Sequence, residues 1–162
     1  NIDTIGLRYF NVFGKKQDPF GSYAAVIPKF ILKFINYESP IINGDGSFSR
    51  DFTYIKNIIQ INSLSLITND TKSLNQVYNA ACENSTSISE MAELIKNYLS
   101  KFDKKIKKIK VINGPQRIGD VPHSLASVNK AKTLLGYKIT HNFEQGLKES
   151  INWYWNNYKN IL

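Results

Sequence analysis

Cysteine is nearly absent from the chain. Cys82 stands alone among 162 residues, so no intramolecular disulfide can form, and without a Cys-x-x-Cys partner or a histidine cluster it makes no metal site. A reducing compartment, the cytoplasm, is the expectation. Long apolar runs are missing too: none approaches the roughly 20 residues that a membrane span needs, so no membrane partner is expected. No glycine cluster matches G-x-G-x-x-G, and no tyrosine has a lysine four residues on, which excludes a self-contained dinucleotide enzyme. Neither His123 nor His141 stands beside a serine or cysteine in a nucleophile motif; both read as surface or loop residues. The start, Asn1-Ile2-Asp3-Thr4-Ile5, lacks an initiator methionine and the basic-then-apolar layout of a signal peptide. It reads as cut from mid-chain.

What is present suits one ordinary domain. Hydrophobic residues make up 42%, with nine Phe, nine Tyr and two Trp, ample for a core. Lys and Arg number 21 against 13 Asp and Glu, a formal charge of +8 that by itself suggests an anionic partner. Many of the lysines fall in one stretch, Lys101 to Lys110, where Ile106 and Ile109 interrupt the charge. That stretch reads as a solvated helix end running into a strand, and the abundance of Lys, Ile and Asn is what an AT-rich genome favours. Nucleic acid is therefore not the expected partner, although a basic nucleic-acid-binding module is the alternative of a different class.

Residues 5–13 are aromatic and β-branched enough for a strand. From Ala24 to Tyr37 the apolar positions Val26, Ile27, Phe30, Ile31, Phe34 and Ile35 recur at helical spacing, with Pro28 early enough for a first turn. Ile41-Ile42 is a short strand, Asn43-Gly44-Asp45-Gly46 a turn that needs positive φ, and Phe52–Ile55 another strand. A helix follows over 56–68. Val77–Ala81 suits a covered strand. Ser87 with Glu90, and Asn142 with Gln145, spell capping boxes before helices carrying Leu94, Ile95 and Leu99, and Leu147, Ile151 and Tyr154. Ser127 caps a shorter helix that stops at Gly136. Strands separated by helices make the chain α/β.

Three loop segments are dense in Arg, Asp, Asn and Gly: Arg8 to Gly14, Asn43 to Phe52 and Arg117 to Ser124. A guanidinium is a planar fork that grips phosphate oxygens in pairs, and an adjacent aspartate can accept from a ribose hydroxyl. One charge-assisted hydrogen bond contributes about 1.5–3 kcal/mol, so Arg50 and Arg117 converging on a diphosphate could supply most of a micromolar affinity. The competing reading is that each arginine pairs with its neighbouring aspartate and merely pins a loop. Likewise Tyr9 and Phe10 suit core aromatics, Asn11 and Gln17 suit ties within a loop, Ile41 suits packing, and Ser124 suits a loop cap.

These segments, with Gly21-Ser22-Tyr23-Ala24-Ala25-Val26-Ile27-Pro28 between them, make the chain resemble the C-terminal half of a nucleotide-sugar epimerase of the extended short-chain dehydrogenase/reductase superfamily. The likeness runs over essentially the whole chain. Arg-Tyr-Phe-Asn at 8–11 and Arg-x-Gly-Asp at 117–120 carry the superfamily. Ala-Ala-Val-Ile-Pro at 24–28 and His-Ser-Leu-Ala at 123–126 narrow it to UDP-N-acetylglucosamine 4-epimerases and the related epimerases of UDP-N-acetylglucosaminuronate. The resemblance implies the substrate-binding lobe of a Rossmann-type enzyme with the last strands of its parallel sheet. Residues 1–14 would be a late strand of the dinucleotide-binding lobe and 15–162 the UDP-sugar lobe.

NAD would be held mainly by an N-terminal half that this chain lacks and that carries the catalytic Tyr-x-x-x-Lys pair, so no catalytic residue is expected here. The full-length enzyme would be a homodimer that abstracts hydride from C4 of the sugar and returns it to the opposite face. Carried over by motif, Tyr9 and Phe10 would lie near the nicotinamide, Asn11 at the diphosphate or the sugar-side phosphate oxygen and Gln17 at a sugar hydroxyl. Backbone amides of Ala25 and Val26 would meet the phosphates, as helix starts do. Ile41 and Asn43 would bracket uracil, Arg50 and Arg117 would grip the phosphates, and Asp120 the ribose. Ser124 would be a small wall that leaves space for an N-acetyl group. A UDP-sugar dehydratase or decarboxylase is the alternative within the fold. Pro122 and Phe20 depart from the family pattern, and Pro122 removes one amide donor near the phosphates.

Overall fold

Four separate strand pairs, rather than one continuous sheet, organise the computed structural model, which describes residues 2–21 and 25–159. In chain order the elements are β1 (Ile5–Tyr9), β2 (Val12–Phe13), α1 (Val26–Ile35), β3 (Ile41–Asn43), β4 (Ser49–Arg50), β5 (Thr53–Tyr54) and α2 (Ile55–Ile67). There follow β6 (Gln76–Ala80), β7 (Thr86–Ser87), α3 (Ile88–Leu99), β8 (Ile112–Gly114), α4 (Asn129–Leu135) and α5 (Phe143–Tyr158). Three pairs are parallel, β1 with β6, β2 with β5 and β3 with β8, while β4 and β7 run antiparallel. Parallel pairing requires long crossovers, and helices supply them.

The strand expected over 5–13 is interrupted. Phe10 N still donates to Ala80 O (3.1 Å), the last bond toward β6, and Asn11 O then accepts from Thr53 N (3.3 Å), the first toward β5. Between them Asn11 takes a φ of 35°, a left-handed conformation that asparagine tolerates better than most residues. The chain thus changes partner at Asn11 and turns it out of the sheet. The strand expected over 52–55 keeps only Thr53 and Tyr54, because Ile55 already opens α2.

Apolar spacing places the helices on two core clusters. The first joins α1, α3 and α5 through Ile31, Phe34, Ile95, Leu99, Leu147 and Ile151, with Phe143 in aromatic contact with both Phe13 and Phe52. The second gathers β6, α2 and α4 around Ile61, Tyr78, Ala80, Leu135 and Tyr137, and the inward residues of β1 pack against it. Gly146 on α5 is required at the junction with β5, since a Cβ there would sit 2.6 Å from Tyr54 Cβ.

The capping expectations are met unevenly. Asn142 and Gln145 form both bonds of their box, each at 2.9 Å. At α3 only the serine half forms, Ser87 Oγ accepting from Glu90 N at 3.1 Å. Ser127 keeps part of its expected role, its Oγ accepting from Asn129 N (3.4 Å) at the start of α4, while Glu83, from the loop after β6, accepts from Val128 N (3.0 Å) and pairs with Lys132. Gly136 ends α4 in the left-handed conformation, as expected. The lysine stretch forms a short 3-10 turn over Lys104–Lys108 with its lysines exposed and Ile106 buried, then leads into β8.

His141, expected at the surface, is half-buried in a polar cluster that ties α5 to α2 and to the loop after β2. Its centre is Glu149, which accepts from Tyr54 Oη (2.9 Å) and Lys56 Nζ (2.9 Å) and pairs with Lys15 (3.1 Å) and His141 Nε2 (3.5 Å). Lys56, then Tyr54 and Lys15, hold the Glu149 carboxyl down to about 2 against partial burial. A carboxylate whose folded value is depressed contributes stability above its ordinary value of 4.5 and loses it as pH falls toward 2. Glu149→Gln therefore destabilises the fold at pH 7 by about 1–2 kcal/mol, and the gap to wild type narrows below pH 4.5; urea unfolding at pH 7 and at pH 3 measures both.

Candidate functional site

A cavity of about 330 Å³ opens where the start of α1, the turn between β1 and β2, β3 and the turn after it, the β4–β5 segment and the 117–120 loop converge. Each wall is set by local chemistry. Asn11 is turned out at the point where the chain changes partner. Val26 stands at the first position of α1. Ile41 and Asn43 lie on the exposed side of β3, whose pairing continues through Gly44 N to Gly114 O (3.0 Å). Gly44 and Gly46 take φ of 78° and 82°, and Asp45 Oδ1 closes the turn by accepting from Ser47 N (2.9 Å) and Ser47 Oγ (2.6 Å). Phe30, Phe48, Phe52 and Ile88 add an apolar floor.

Arg50 and Arg117 line this one cavity together with Asp120. The chain has three arginines in all, so two of the three face the same space. Arg50 does not pair with Asp51. Its Nη1 donates instead to Ser49 O (2.8 Å) and Pro122 O (3.2 Å), which fixes the guanidinium and leaves Nε and Nη2 uncommitted among the described residues. The Arg117 loop turns at Gly119, φ 89°, where Asp120 N reaches Arg117 O (3.5 Å). No ion pair joins Arg117 to Asp120 among the described residues. The pairing of each arginine with its neighbouring aspartate is thus not formed at either position.

Asp51 has a different task. It is fully buried and accepts from Cys82 N (2.9 Å), Ala126 N (3.4 Å) and Thr53 Oγ1 (3.5 Å). Burial pushes its carboxyl above the usual range, and the amide bonds pull against that. The sequence offered no sign of this role, because its partners lie 31 and 75 residues away. Pro122 offers this loop no amide donor. What it contributes is its carbonyl, which accepts from Ser49 N (2.9 Å) as well as from Arg50. Around the same joint Ser124 N donates to Ser49 O (3.1 Å), Ser49 Oγ lies 3.0 Å from His123 Nδ1, and Ser85 Oγ donates to Ser49 Oγ (2.7 Å). The fold therefore gives the His123 ring a hydrogen-bonding partner in Ser49, 74 residues away, rather than in the adjacent Ser124.

Seven of the expected site residues line the cavity: Asn11, Val26, Ile41, Asn43, Arg50, Arg117 and Asp120. The others stand apart from it. Ala25 precedes α1 as its capping residue. Ser124 is half-buried beside β4, outside the lining. Gln17 Nε2 donates to Val12 O (3.2 Å), so this side chain ties its own loop, and its Oε1 is buried without a partner among the described residues. Tyr9 Oη donates to Asn62 Oδ1 (3.0 Å) on α2, and Phe10 packs against the second core cluster. Ser22, Tyr23 and Ala24 lie outside the described residues. No cluster of three or more metal-ligating side chains occurs among the described residues, and no described helix is long and apolar enough to cross a membrane.

Comparison with known proteins gives this arrangement its family. The model of the NAD dependent epimerase/dehydratase family matches residues 1–81, half of the chain, and the chain belongs to that family. Its α/β fold matches the C-terminal portion of Rossmann-type epimerases. The structure of a UDP-N-acetylglucosamine 4-epimerase from Methanobrevibacter ruminantium, in complex with UDP-N-acetylmuramic acid, superposes with a TM-score of 0.85 at 39% identity, covering 96% of this chain and 47% of that one. A UDP-glucose 4-epimerase from Thermotoga maritima with UDP-glucose gives 0.85 at 29% identity over the same shares. A UDP-N-acetyl-alpha-D-glucosaminuronate decarboxylase of Bacillus cytotoxicus is 31% identical over 91% of this chain and 45% of its own length. The chain spans about half the length of the curated relatives it matches.

If Asp51 is the joint of the site, Asp51→Ala leaves two buried amides without an acceptor, and the fold loses about 3 kcal/mol. Chemical denaturation followed by tryptophan fluorescence measures it.

Proposed function

We propose that the chain is the substrate-binding lobe of an NAD-dependent UDP-N-acetylhexosamine 4-epimerase, acting on the neutral or the uronate form of the sugar. The observation that carries this reading is the convergence of Arg50 and Arg117, from segments 67 residues apart in sequence, on one cavity with Asp120, Asn43 and Asn11. Two guanidinium groups suit a diphosphate, a carboxylate beside them suits ribose hydroxyls, and the exposed β3 face at Ile41 and Asn43 suits a planar base. Asn11, turned into the cavity, meets a phosphate oxygen on the sugar side. The 39% identity to an enzyme named for UDP-N-acetylglucosamine supports the N-acetylated substrate.

This chain's part is to bind and orient. Arg50, held by two carbonyls, presents a preorganised face to the phosphates and needs no rearrangement on binding. The small Ser124, on the segment bonded to β4, borders the sugar and leaves its acetamido group space. The residues present do not form a dinucleotide cradle. The described backbone lacks the glycine-rich turn, and Tyr9 and Phe10, the two side chains expected at the nicotinamide, are engaged by Asn62 and by the second core cluster. NAD binding and the chemical step therefore belong to polypeptide outside this chain, to which residues 1–14 present β1 and β2, and the full-length protein is a cytoplasmic homodimer. The similarity to a decarboxylase of a UDP-N-acetylated uronate favours a second use of the same lobe, with the same nucleotide contacts and different chemistry.

Calorimetry tests the nucleotide site. The wild-type chain binds UDP with shallow salt dependence, and Arg117→Ala weakens binding about tenfold or more, as the loss of a charge-assisted bond requires. Steeply salt-dependent DNA binding without UDP binding would instead favour a nucleic-acid module. In the full-length enzyme, Ser124→Tyr abolishes turnover of UDP-N-acetylglucosamine and spares UDP-glucose; equal turnover of both by the variant would remove Ser124 from the sugar wall.

A further inference from the structure

Arg50 and Arg117 share the cavity wall with a third cation. Lys29, one turn beyond Val26 on α1, lines it as well, and it also borders a neighbouring hollow formed with Pro19, Phe20 and Glu38. Val26 and Lys29 are three residues apart and so share a face of the helix, while Ile27, Phe30, Ile31 and Phe34 are buried in the core. The helix therefore fixes where the lysine stem begins, on the ridge between the two concavities.

No carboxylate claims this ammonium among the described residues. Glu38, the acid of the neighbouring hollow, is taken by Lys33. Asp120, the acid of the cavity, forms no ion pair with Lys29. Three cations against one carboxylate leave the wall with two net positive charges, the complement of a diphosphate diester. Without an anion, cations lining one small concavity repel one another; a doubly charged ligand turns that repulsion into attraction.

Resting on the nucleotide reading above, we propose that Lys29 is a third phosphate ligand, meeting the pyrophosphate from the α1 side. As a compact charge on a flexible stem, it neutralises the ligand without fixing its orientation, which the guanidinium of Arg50 does. Its substitution then acts on the phosphates alone and leaves recognition of the base intact.

The test compares UDP with uridine, which has the same base and ribose and no phosphate, by calorimetry on the wild-type chain, Lys29→Met and Lys29→Arg. Lys29 is exposed, so neither variant disturbs the core, and matching unfolding curves verify it. The expected result is UDP binding about tenfold weaker in Lys29→Met, near wild type in Lys29→Arg, and equal uridine binding in all three. UDP binding by Lys29→Met as tight as wild type overturns the role of Lys29 and leaves the nucleotide site standing. An equal loss for UDP and uridine overturns it as well, since the lysine would then act through the shape of the cavity. A wild-type chain that binds no UDP overturns the nucleotide reading itself, and the lysine's role with it.

Discussion

A carboxylate sealed from solvent and bonded to backbone amides is the constraint on which the site depends. Burying a charged group without partners would be prohibitive. Asp51 meets that demand with amides of the loop after β6 and of the segment before α4, and not with the guanidinium beside it. The choice has two consequences. Three segments distant in sequence are fastened around β4 and β5, and Arg50 keeps its charge for the cavity. Had Asp51 paired with its neighbour, as adjacency in sequence invites, the cavity would have lost one of its cations and the loops would have lost their common fastening.

The rest of the fold is arranged so that element ends, rather than element faces, form the site. The first core cluster holds α1, α3 and α5 together by their apolar sides, which fixes where α1 and α3 begin; Val26 and Ile88, their first residues, both line the cavity. Strand pairs are short and change partner often. At Asn11, where the chain leaves β6 for β5, the change turns a polar residue toward the cavity. A long regular sheet would have kept that residue within its ladder.

Local chemistry was legible in the sequence. Apolar spacing marked the helices, Asn142 and Gln145 marked the start of α5, and Gly44 and Gly46 marked a turn of positive φ, because each depends on residues within one turn of chain. The cavity was legible through a likeness in the Arg-rich segments, which brought Arg50, Arg117 and Asp120 to one place. What stayed hidden depends on contacts across the fold. Glu83 joins Ser127 at the start of α4, accepting from Val128 N from 45 residues away. The Pro122 carbonyl matters more than its missing amide. The alternation of residues 5–13 carries no sign that the chain exchanges β6 for β5 midway, since both halves bury the same kinds of side chain.

Charge illustrates the same division between number and position. The formal +8 is dominated by lysines, and those of the 101–110 stretch stand in solvent on a short turn, anchored by Ile106 rather than by any ligand. At the far end of α3, Ile88 lies on the cavity floor, so about 17 Å of helix separates the two regions, beyond the roughly 8 Å over which exposed charges act at physiological salt. The surplus therefore cannot attract a nucleotide into the cavity from that distance. On the proposed nucleotide reading, attraction there rests on cations within the wall, two planar forks held by the backbone or a turn and one flexible ammonium. Their value comes from being near one another while lacking acidic partners.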